Sequence, residues 1–409
     1  MRLTIVNQFY PPDHSPTAHL AASLARHRAE LGDDVTVVTG RASYTGDQPS
    51  DDIVDHDGHH GRIHVVRLAT PGGGKSSILT RVGGYLGFTV GAWARLLTMR
   101  RQDVVVAMTT PPYIALSGLL HRMLHRRARV VLWSMDVYPD TAERFGQLDR
   151  NGTASRVLRS VNRWLYPRLD HLVVLDDAMR ELLVDQYAAE APPPTSVIPN
   201  WEPAALFPAD AEVAPWPGYD DPDLTGRFVI AYLGNTGTGH RFDTVVDAAG
   251  LLAGHDTAFL FVGGGVRWSE LETARTALGR GRGAPIVMRG YVDKGETPSV
   301  LAGAGAALIT LDDRSRGLMS PSKLHASLAG GVPIVYVGPT GTNVDHAIAA
   351  HGCGVSLRNG DVDGLVAAIE RLRTDAAHHT ALSAAARSAF EEHYSDAAVL
   401  PQLDAVIDG

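Results

Sequence analysis

The chain has 409 residues, a formal net charge of −8, and 44% hydrophobic against 20% charged residues. This composition is typical of a folded globular protein, and the length exceeds what one hydrophobic core usually serves. The acidic balance argues against a general nucleic-acid binder, whose phosphate-facing surface must be basic. The single cysteine, Cys353, excludes an internal disulfide and is typical of a reducing compartment. Because no secretory signal is visible before the first apolar run, we expect a cytoplasmic protein.

Short apolar runs alternate with helical patterns through the first half of the chain. Helical spacing of alanine and leucine predicts helices at Ala18–Leu31 and Ala154–Leu165. Runs rich in β-branched residues predict strands at Leu3–Val6, Val35–Val38, His64–Arg67, Val104–Ala107, Val130–Trp133, Leu172–Leu175 and Ser196–Ile198. Apolar strands that alternate with helices are typical of a parallel sheet covered on both faces. Residues 1–208 are therefore predicted to form a Rossmann-like domain.

The same alternation resumes after a segment of different composition. Residues 209–226 are rich in Pro, Asp and Gly, show neither periodicity, and are interpreted as a linker. Further strands are predicted at Phe228–Leu233, Ala258–Val262, Ile286–Arg289, Ala306–Thr310, Pro333–Tyr336 and Gly354–Leu357, with helices at Asp243–Leu252, Glu270–Leu278, Leu365–Arg373 and Thr380–Tyr394. Residues 227–382 are predicted to form a second domain, and residues 383–409 a C-terminal helix that packs back towards the first. The predicted fold class is α/β, with two doubly wound Rossmann-like domains facing a cleft.

The segment Met319–Tyr336 carries the most chemical information. It is predicted to be a short loop, a helix that begins near Lys323, a paired-glycine stop and a buried strand. Because the first turn of a helix exposes unpaired N–H groups, Ser320, Ser322 and Lys323 together indicate an anion site. An ordinary loop–helix–strand unit with a solvated lysine remains the alternative.

Two glycine-rich loops follow predicted strands in the second half. Gly234–Gly239 follows the strand that ends at Leu233, and glycine there permits close approach of the backbone to a phosphate. His240 and Arg241, in the next turn, are expected to reach a diphosphate. Gly263–Gly265 forms a second turn of this kind. The spacing differs from the dinucleotide fingerprint, and no pair of histidines shows metal-ligand spacing with a carboxylate, so we expect no metal. Either loop alone is also consistent with a tight turn.

A weakly charged segment in the first half is a candidate for membrane contact. Val82–Ala94 is too short and too rich in glycine to span a bilayer. Its aromatic residues, with arginines at both ends and the basic run His121–Arg129, indicate possible peripheral contact with a membrane surface. The alternative, which we favour at this stage, is a helix packed on the sheet.

A set of short motifs occurs in an unbroken order along nearly the whole chain. In the first half these are Gln8-Phe9-Tyr10-Pro11-Pro12, Leu31-Gly-Asp-Asp-Val-Thr-Val37, Thr109-Thr-Pro-Pro112, Asp136-Val-Tyr-Pro139 and Val197-Ile-Pro-Asn200. In the second half they are Tyr232-Leu-Gly-Asn235, Phe261-Val-Gly-Gly264, Gly290-Tyr-Val292, Ser320-Pro-Ser-Lys323, Gly330-Gly-Val-Pro-Ile334 and Gly352-Cys-Gly354. Together they resemble family-4 glycosyltransferases of the GT-B fold, especially the branch that builds surface polysaccharides.

The resemblance implies a specific reaction and a set of site residues. Such enzymes move a sugar from a nucleotide diphosphate sugar, such as a UDP-sugar, to an acceptor hydroxyl with retention of configuration, without a bound metal or other cofactor. The acceptor would be a sugar, a lipid-linked molecule or a small molecule. The candidate catalytic residues are Lys323 and Arg241, for the leaving diphosphate, and Asp136, for the acceptor hydroxyl. The implied donor-binding residues are Gly234, Asn235, Gly237, His240, Gly264, Tyr291, Val292, Ser320 and Ser322, and the acceptor-side residues are Ser15, Thr17 and Thr110.

Three departures from the family pattern leave other interpretations open. The two glutamates that usually face the donor sugar and the ribose are replaced by Leu318 and Ala326. Thr238 and His240 occupy positions where Arg or Lys is common, and a usual glycine pair in the first loop is replaced by residues 14–17. The alternatives are an inactive enzyme, a GT-B-fold epimerase or cyclitol-coupling enzyme, and a non-catalytic partner that binds nucleotide sugars. In place of the second glutamate, the ribose would be held by His325, Ser327, Asn343 or Asp345, or by no side chain.

Overall fold

The computed structural model describes residues 1–13, 15–41, 56–57, 61–69, 78–209, 212–279 and 281–409. The chain divides into two compact units. The first unit comprises Met1–Ile198 together with Leu400–Gly409, and the second comprises Pro199–Val399.

The first unit is built on an eight-stranded sheet with the strand order β3-β4-β2-β1-β5-β6-β7-β8. Only the short β3 runs antiparallel to its neighbour, β4. The central strands β1 and β5 pair in parallel and are almost entirely buried, because both faces of the sheet are covered by helices. The strands are β1 Arg2–Val6, β2 Asp34–Gly40, β3 His56–Asp57, β4 Arg62–Leu68, β5 Val104–Met108, β6 Arg129–Trp133, β7 His171–Val174 and β8 Thr195–Val197.

The helices of the first unit lie on both faces of this sheet. They are α1 Pro16–Glu30, α2 Ile78–Thr98, α3 Ala115–Leu124, α4 Asp140–Arg144, α5 Thr153–Leu165 and α6 Asp177–Tyr187. The connection through α1 leads from β1 to β2, whereas those through α2, α3, α5 and α6 cross the sheet in the opposite direction. Because parallel crossovers are right-handed, α1 lies on one face and α2, α3, α5 and α6 lie on the other.

The second unit contains a six-stranded, fully parallel sheet with the order β11-β10-β9-β12-β13-β14. Its strands are β9 Phe228–Asn235, β10 Thr257–Gly264, β11 Ile286–Arg289, β12 Ala306–Thr310, β13 Ile334–Val337 and β14 Gly354–Leu357. Its helices are α7 Asp243–Leu251, α8 Trp268–Leu278, α9 Thr297–Ala302, α10 Lys323–Ala329, α11 Asn343–His351, α12 Val362–Thr374 and α13 Ala376–Ala389. A single π-helical turn, Phe390–Tyr394, precedes the last helix, α14 Asp396–Asp408, whose final residues belong to the first unit.

The predicted fold class is confirmed, because both units are parallel α/β sheets covered by helices. The unit boundaries differ from those drawn on the sequence. The main segment of the first unit ends at Ile198, ten residues before the predicted boundary at 208. The segment interpreted as a linker packs on the second unit: Leu224 is buried beside Val229, and Trp216 donates its backbone N–H to the carbonyl of Ser299. The segment packs on the second unit through a few apolar side chains that show no periodicity in the sequence. Only its composition was informative, and that composition is typical of a linker.

The C-terminal residues are held to the first unit by a buried ion cluster. Arg28 of α1 is 3% exposed and donates hydrogen bonds to Asp404 at 2.9 Å and to Asp408 at 2.7 Å. Its Nε also donates to Asp33 at 2.7 Å. Residues 400–409 therefore belong to the first unit, whereas residues 383–399 belong to the second.

The segment Val82–Ala94 lies within α2. Phe88 and Ala92 are fully buried, as is Leu96 one turn further on, so one face of this helix packs on the sheet. Among the helices that the structure describes, none is long and apolar enough to cross a membrane.

Candidate active site

Two glycine turns of the second unit lie against each other at the carboxyl ends of β9 and β10. The backbone N–H of Thr236 donates to the carbonyl of Gly264 at 2.7 Å. Gly263 has a φ of +146°, and a Cβ atom there would lie 2.1 Å from the carbonyl oxygen of Gly234. Only glycine permits this approach. The two loops predicted from the sequence therefore form one partly exposed backbone surface, in which Asn235 and Gly265 are exposed and Thr236 and Gly263 are buried.

Lys323, the first residue of α10, extends its ammonium group to this surface. Its Nζ lies 3.1 Å from the carbonyl oxygen of Asn235 and 3.3 Å from Nε2 of His240. The same atom lies 4.6 Å from the ring centre of Tyr232, which is a cation–π contact. The structure thus brings together three residues proposed from the sequence, Lys323, Asn235 and His240. Tyr232 was not proposed from the sequence. It belongs to a family motif, but no pattern of charge or polarity indicated that its ring would contact a cation.

The protonation of His240 follows from its partners. Its Nδ1 lies 2.6 Å from the carbonyl oxygen of Thr310, which can only accept, so Nδ1 carries the proton. Nε2 therefore presents its lone pair to the ammonium of Lys323. Burial lowers the pKa of His240 well below its usual value, and the charges of Lys323 and Arg267 lower it further. In the free protein His240 is thus a buried neutral acceptor for Lys323, and the expectation that it reaches a diphosphate stays a prediction.

Lys323 itself is only partly solvated. Desolvation by burial lowers the pKa of its ammonium group to about 7. Within the part of the chain that the structure describes, no carboxylate forms an ion pair with it, and its hydrogen bonds go to a carbonyl and a neutral imidazole. A positive charge with neutral partners at this partly exposed backbone surface is suited to bind an anion.

The two candidate arginines near this surface differ in position. Arg241 directs its Nε to the carboxylate of Asp243 at 2.8 Å and 2.9 Å, and both side chains are largely exposed. Arg267, which follows the second glycine turn, donates its backbone N–H to Thr236 at 3.0 Å and its Nε to the carbonyl of Thr238 at 3.4 Å. Both arginines line a cavity of about 630 Å³ beside α7 and α8. Arg267 therefore bonds to the Gly234–Gly239 loop and also pairs with Glu270 at 2.8 Å, whereas Arg241 bonds to the start of its own helix.

Arg267 was missed because no family motif covers its position. The sequence did contain a signal, namely a basic residue two positions after Gly263–Gly265. Because this turn packs against the first glycine loop, the side chain that follows it lies near that loop.

An exposed aromatic residue stands over the second glycine turn. A Cβ atom at Gly264 would lie 3.0 Å from the ring of Tyr291, so this glycine leaves room for the ring. Tyr291 is 64% exposed, while Val292 is partly buried against the neighbouring core. Both residues follow β11, as predicted, and the ring of Tyr291 offers a flat surface on which a base can stack.

The loop before α10 is ordered by side-chain contacts. Asn343 donates from Nδ2 to Oγ of Ser320 at 2.6 Å. Ser322 occupies the N-cap position of α10 without a capping side-chain hydrogen bond. Because α10 has only seven residues, its dipole adds little to the charge of Lys323 itself.

The two positions that usually carry glutamate in the family hold apolar residues that differ in burial. Leu318 is fully buried in the second unit. Ala326 is partly buried on α10 and lies one turn after Lys323. Neither position carries a group that can bind a hydroxyl of a donor.

Three of the four substitutes considered for the ribose contact are engaged elsewhere. His325 is 1% exposed and its ring packs against Tyr394, with ring centres 5.7 Å apart. Ser327 is buried and donates its hydroxyl to the helix backbone. Asp345 accepts from Arg358 at 2.8 Å and from the backbone of Gly341. Only the fourth, Asn343, lies beside the predicted donor loop, through its bond to Ser320.

In the first unit, Asp136 follows β6 as predicted. Oγ1 of Thr109 accepts the backbone N–H groups of Met135 at 2.9 Å and Asp136 at 3.0 Å, which fixes the chain at this strand end. Burial raises the pKa of the Asp136 carboxyl to about 6. The alternative role, capping the next helix, is not observed, because Pro139 occupies the N-cap position of α4.

Tyr113 lies close to Asp136 and was not proposed from the sequence. It adopts a φ of +66°, which is uncommon for a residue with a side chain, and its buried hydroxyl has no partner in the described part of the chain. Tyr113, Thr109 and Asp136 line a cavity of about 20 Å³, which holds a water molecule but not a sugar.

The predicted acceptor-side residues have mostly local roles. Oγ of Ser15 accepts the backbone N–H of Ala18 at 3.3 Å and caps α1, and the hydroxyl of Thr17 lies 3.5 Å from the same oxygen. The carbonyl of Thr110 accepts the backbone N–H of Gln8 at 2.9 Å. Thr110 and Asp136 follow neighbouring parallel strands, so they lie at the same edge of the sheet.

The chain is similar to known glycosyltransferases in sequence. Residues 17–201 match a family model described as a glycosyl transferase 4-like domain. A probable glycosyltransferase from Pseudomonas aeruginosa, WbjE, is 27% identical over 310 residues, which is 75% of each chain.

Solved structures with the same fold cover the whole chain. Sucrose-phosphate synthase from Thermosynechococcus elongatus superposes with a TM-score of 0.74 at 15% identity, covering 100% of this chain and 98% of that one. The Anabaena protein HepE, in complex with UDP-glucose, gives a TM-score of 0.69 at 13% identity, covering 100% and 99%. The fold is therefore GT-B, and together with the sequence matches it supports a glycosyltransferase of the GT-B type.

Proposed function

We propose that this protein transfers a sugar from a nucleotide diphosphate sugar to an acceptor hydroxyl with retention of anomeric configuration. The donor would bind the second unit at the two glycine turns, and the acceptor the first unit near Asp136. The observation that carries the proposal is the ammonium group of Lys323, whose partners at the Gly234–Asn235 backbone are neutral among the residues that the structure describes. UDP-glucose, bound by the structural neighbour HepE, is the first donor to test.

The proposed chemistry depends on charge that develops on the leaving diphosphate. Fixed positive groups that face a leaving group in a partly dry site are usually the largest catalytic contribution. Lys323 supplies one such charge, and His240 holds it in place by accepting a hydrogen bond. Each arginine pairs with a carboxylate, Arg267 with Glu270 and Arg241 with Asp243, but we assign the second charge to Arg267, because its Nε is also bonded to the donor loop.

On the acceptor side, Asp136 is the proposed partner of the attacking hydroxyl. A carboxyl group with a raised pKa of about 6 is ionised at neutral pH but holds a shared proton more readily than an ordinary carboxylate.

The stacking face of Tyr291 and the Ser320–Asn343 pair are the proposed contacts for the nucleoside. With Leu318 and Ala326 at the glutamate positions, ribose recognition would rest on Asn343 or on the backbone. We place the reaction in the cytoplasm, which the single cysteine supports. We further propose that the protein belongs to the branch of enzymes that build surface polysaccharides, and that its acceptor is a sugar or a lipid-linked molecule.

One alternative function has a specific observation in its favour. The absence of both glutamates fits a protein that binds a nucleotide sugar without turning it over. An epimerase or a cyclitol-coupling enzyme of the same fold remains the other alternative.

The experiment is a donor screen with two readouts. Binding of each nucleotide sugar is measured by calorimetry, and turnover by release of free nucleoside diphosphate in the presence of candidate acceptors. Proton NMR of the product then reports the anomeric configuration. A new glycosidic bond of unchanged configuration supports the proposal. Inversion would refute retention, binding without release would favour the non-catalytic alternative, and release with a non-sugar product would favour the coupling alternative.

A further inference from the structure

One face of the first unit combines exposed apolar side chains with arginines. It is formed by α2, α3 and α5, which lie on the same side of the sheet. None of these three helices contains an Asp or a Glu, although the chain has 45 such residues. We call this the α2–α3–α5 face.

The exposed apolar side chains of the described residues are concentrated on this face. Of fourteen large hydrophobic side chains that are exposed, seven lie on these three helices. They are Leu86 at 62%, Val90 at 59%, Leu97 at 40%, Met123 at 75%, Leu124 at 59%, Val157 at 56% and Trp164 at 49%. Isolated exposed apolar residues need no explanation, but a concentration of this kind marks an interaction surface.

The apolar residues of α2 form a regular stripe. Leu86, Val90 and Leu97 are spaced so that they share one side of the helix. Phe88 and Leu96, on the opposite side, are fully buried. The helix therefore has apolar side chains on two sides. One side is buried against the sheet, and the other is exposed.

Named contacts join the three helices into one continuous face. Nδ1 of His121 on α3 lies 2.7 Å from the carbonyl of Leu96 on α2. Arg122, also on α3, donates to the carbonyl of Arg168 at 2.7 Å, and the guanidinium of Arg168 lies 4.6 Å from the ring centre of Trp164 on α5.

The three helices themselves carry only positive charges, while acidic side chains lie beside them on the same side of the sheet: Asp170, which pairs with Arg122 at 2.7 Å, and Asp177, Glu181 and Asp185 of α6. The exposed arginines of the α2–α3–α5 face surround the apolar side chains and lie on or just after the three helices: Arg100, Arg126, Arg127, Arg156, Arg163 and Arg168. Apolar side chains bordered by arginine on an otherwise acidic chain complement an anionic lipid surface, where the side chains enter the headgroup region and the arginines bind phosphates.

We propose that the α2–α3–α5 face docks the first unit on an anionic lipid bilayer. A nucleic acid would match the arginines but leaves the seven apolar side chains without a role. The inference is independent of the proposed sugar transfer, because lipid binding is measured without any donor or acceptor. If both hold, the acceptor presented to Asp136 would be a molecule held in that bilayer.

The test is co-sedimentation of the full chain with vesicles. Vesicles of phosphatidylcholine alone and of phosphatidylcholine with phosphatidylglycerol are compared at low and at physiological salt. We expect binding to the anionic vesicles only, weakened by salt but not abolished, because burial of apolar side chains is insensitive to screening.

Two variants separate the charged from the apolar contribution. The double substitution Arg126→Glu and Arg127→Glu is expected to weaken binding by about tenfold or more, since each basic residue near such a surface contributes substantially. The double substitution Met123→Ser and Leu124→Ser is expected to weaken it by a similar factor. All four side chains are exposed, so both variants should fold normally.

Matched controls carry the same changes elsewhere on exposed positions. Arg282→Glu with Arg371→Glu, and Leu31→Ser with Leu251→Ser, should bind vesicles like the unmodified protein. The proposal would be overturned if the unmodified protein did not bind anionic vesicles at low salt. It would also be overturned if either the Arg126/Arg127 variant or the Met123/Leu124 variant bound them as tightly as the unmodified protein. A loss of vesicle binding in the Arg126→Glu, Arg127→Glu variant but not in the Met123→Ser, Leu124→Ser variant would also overturn the proposal, because a surface that binds any polyanion would give the same result.

Discussion

Replacing Lys323 by methionine tests the proposed donor site with two effects of opposite sign. Methionine keeps the length and much of the volume of the side chain but removes the charge. In the free protein, the ammonium group is desolvated, and its pKa of about 7 compares with 10.5 for an unperturbed lysine. Burying the charge therefore costs folding free energy, while the charge is expected to stabilise a bound diphosphate. Lys323→Met should make the protein more stable and a worse enzyme.

The size of the stability effect follows from the pKa. A lowering from 10.5 to about 7 corresponds to about 5 kcal/mol if realised in full. Because Lys323 is only partly buried and the variant loses the hydrogen bonds to Asn235 and His240, we expect a gain of about 1–2 kcal/mol at neutral pH. For a unit of about 200 residues this raises the Tm by about 2–4 °C per kcal/mol.

The pH dependence has a defined direction. Between about pH 7 and 10.5 the unfolded chain binds a proton at Lys323 that the folded chain has lost. The cost of burial is therefore complete below about pH 7 and is relieved as the pH rises towards 10.5. The advantage of Lys323→Met should shrink over the same range. Donor affinity of the unmodified protein should fall above about pH 7, because binding then requires uptake of a proton, and in Lys323→Met that fall should disappear.

The assay combines urea unfolding with calorimetry of nucleoside diphosphate binding and with turnover of the donor found by screening. We expect a loss of about 2–4 kcal/mol in transition-state stabilisation, read from kcat/KM. Lys294→Met is the matched control, since Lys294 forms an ion pair with Glu202 at 2.8 Å and should gain no stability on substitution. A destabilised Lys323→Met variant, or one with unchanged diphosphate affinity, would refute the reasoning.

Three further predictions address the donor loop, the ribose and the C-terminal residues. Arg267→Gln should lower kcat/KM by about tenfold or more, whereas Arg241→Gln should change it less than about threefold; the reverse order would contradict the assignment of the second charge to Arg267. The protein should discriminate less than about tenfold between a uridine and a deoxythymidine diphosphate hexose, and Ala326→Glu should increase the preference for the ribonucleotide; a preference of about hundredfold in the unmodified protein would indicate another ribose contact. Arg28→Leu should lower the free energy of unfolding by about 3–5 kcal/mol in urea titrations at neutral pH, because it removes the buried cation that Asp33, Asp404 and Asp408 share and leaves Asp33 only the N-terminal amine and Asp404 only His27; the exposed Arg180→Leu serves as control.

The fold could be predicted from the sequence because its signals are local. Phe228–Leu233 is a continuous apolar run and Leu3–Val6 is interrupted only by Thr4, and such runs form strands buried on both faces where helices alternate with them. The helix start at Lys323, the glycine stop after it and the strand that follows are likewise encoded by neighbouring residues. Lys323 and Asn235 were proposed because each stands at the end of a predicted strand or the start of a predicted helix.

What the tertiary structure decided depends on contacts between residues far apart in the chain. His240 is neutral because burial and the charge of Lys323 lower its pKa, and it accepts through Nε2 because the carbonyl of Thr310, seventy positions away, accepts the hydrogen bond from its Nδ1–H. Arg267 reaches the first glycine loop because a second loop packs against it, with Gly263 leaving the space. The sequence contains all of these residues, but their protonation and partners follow from burial and distance. Those quantities exist only once the strands have been brought side by side.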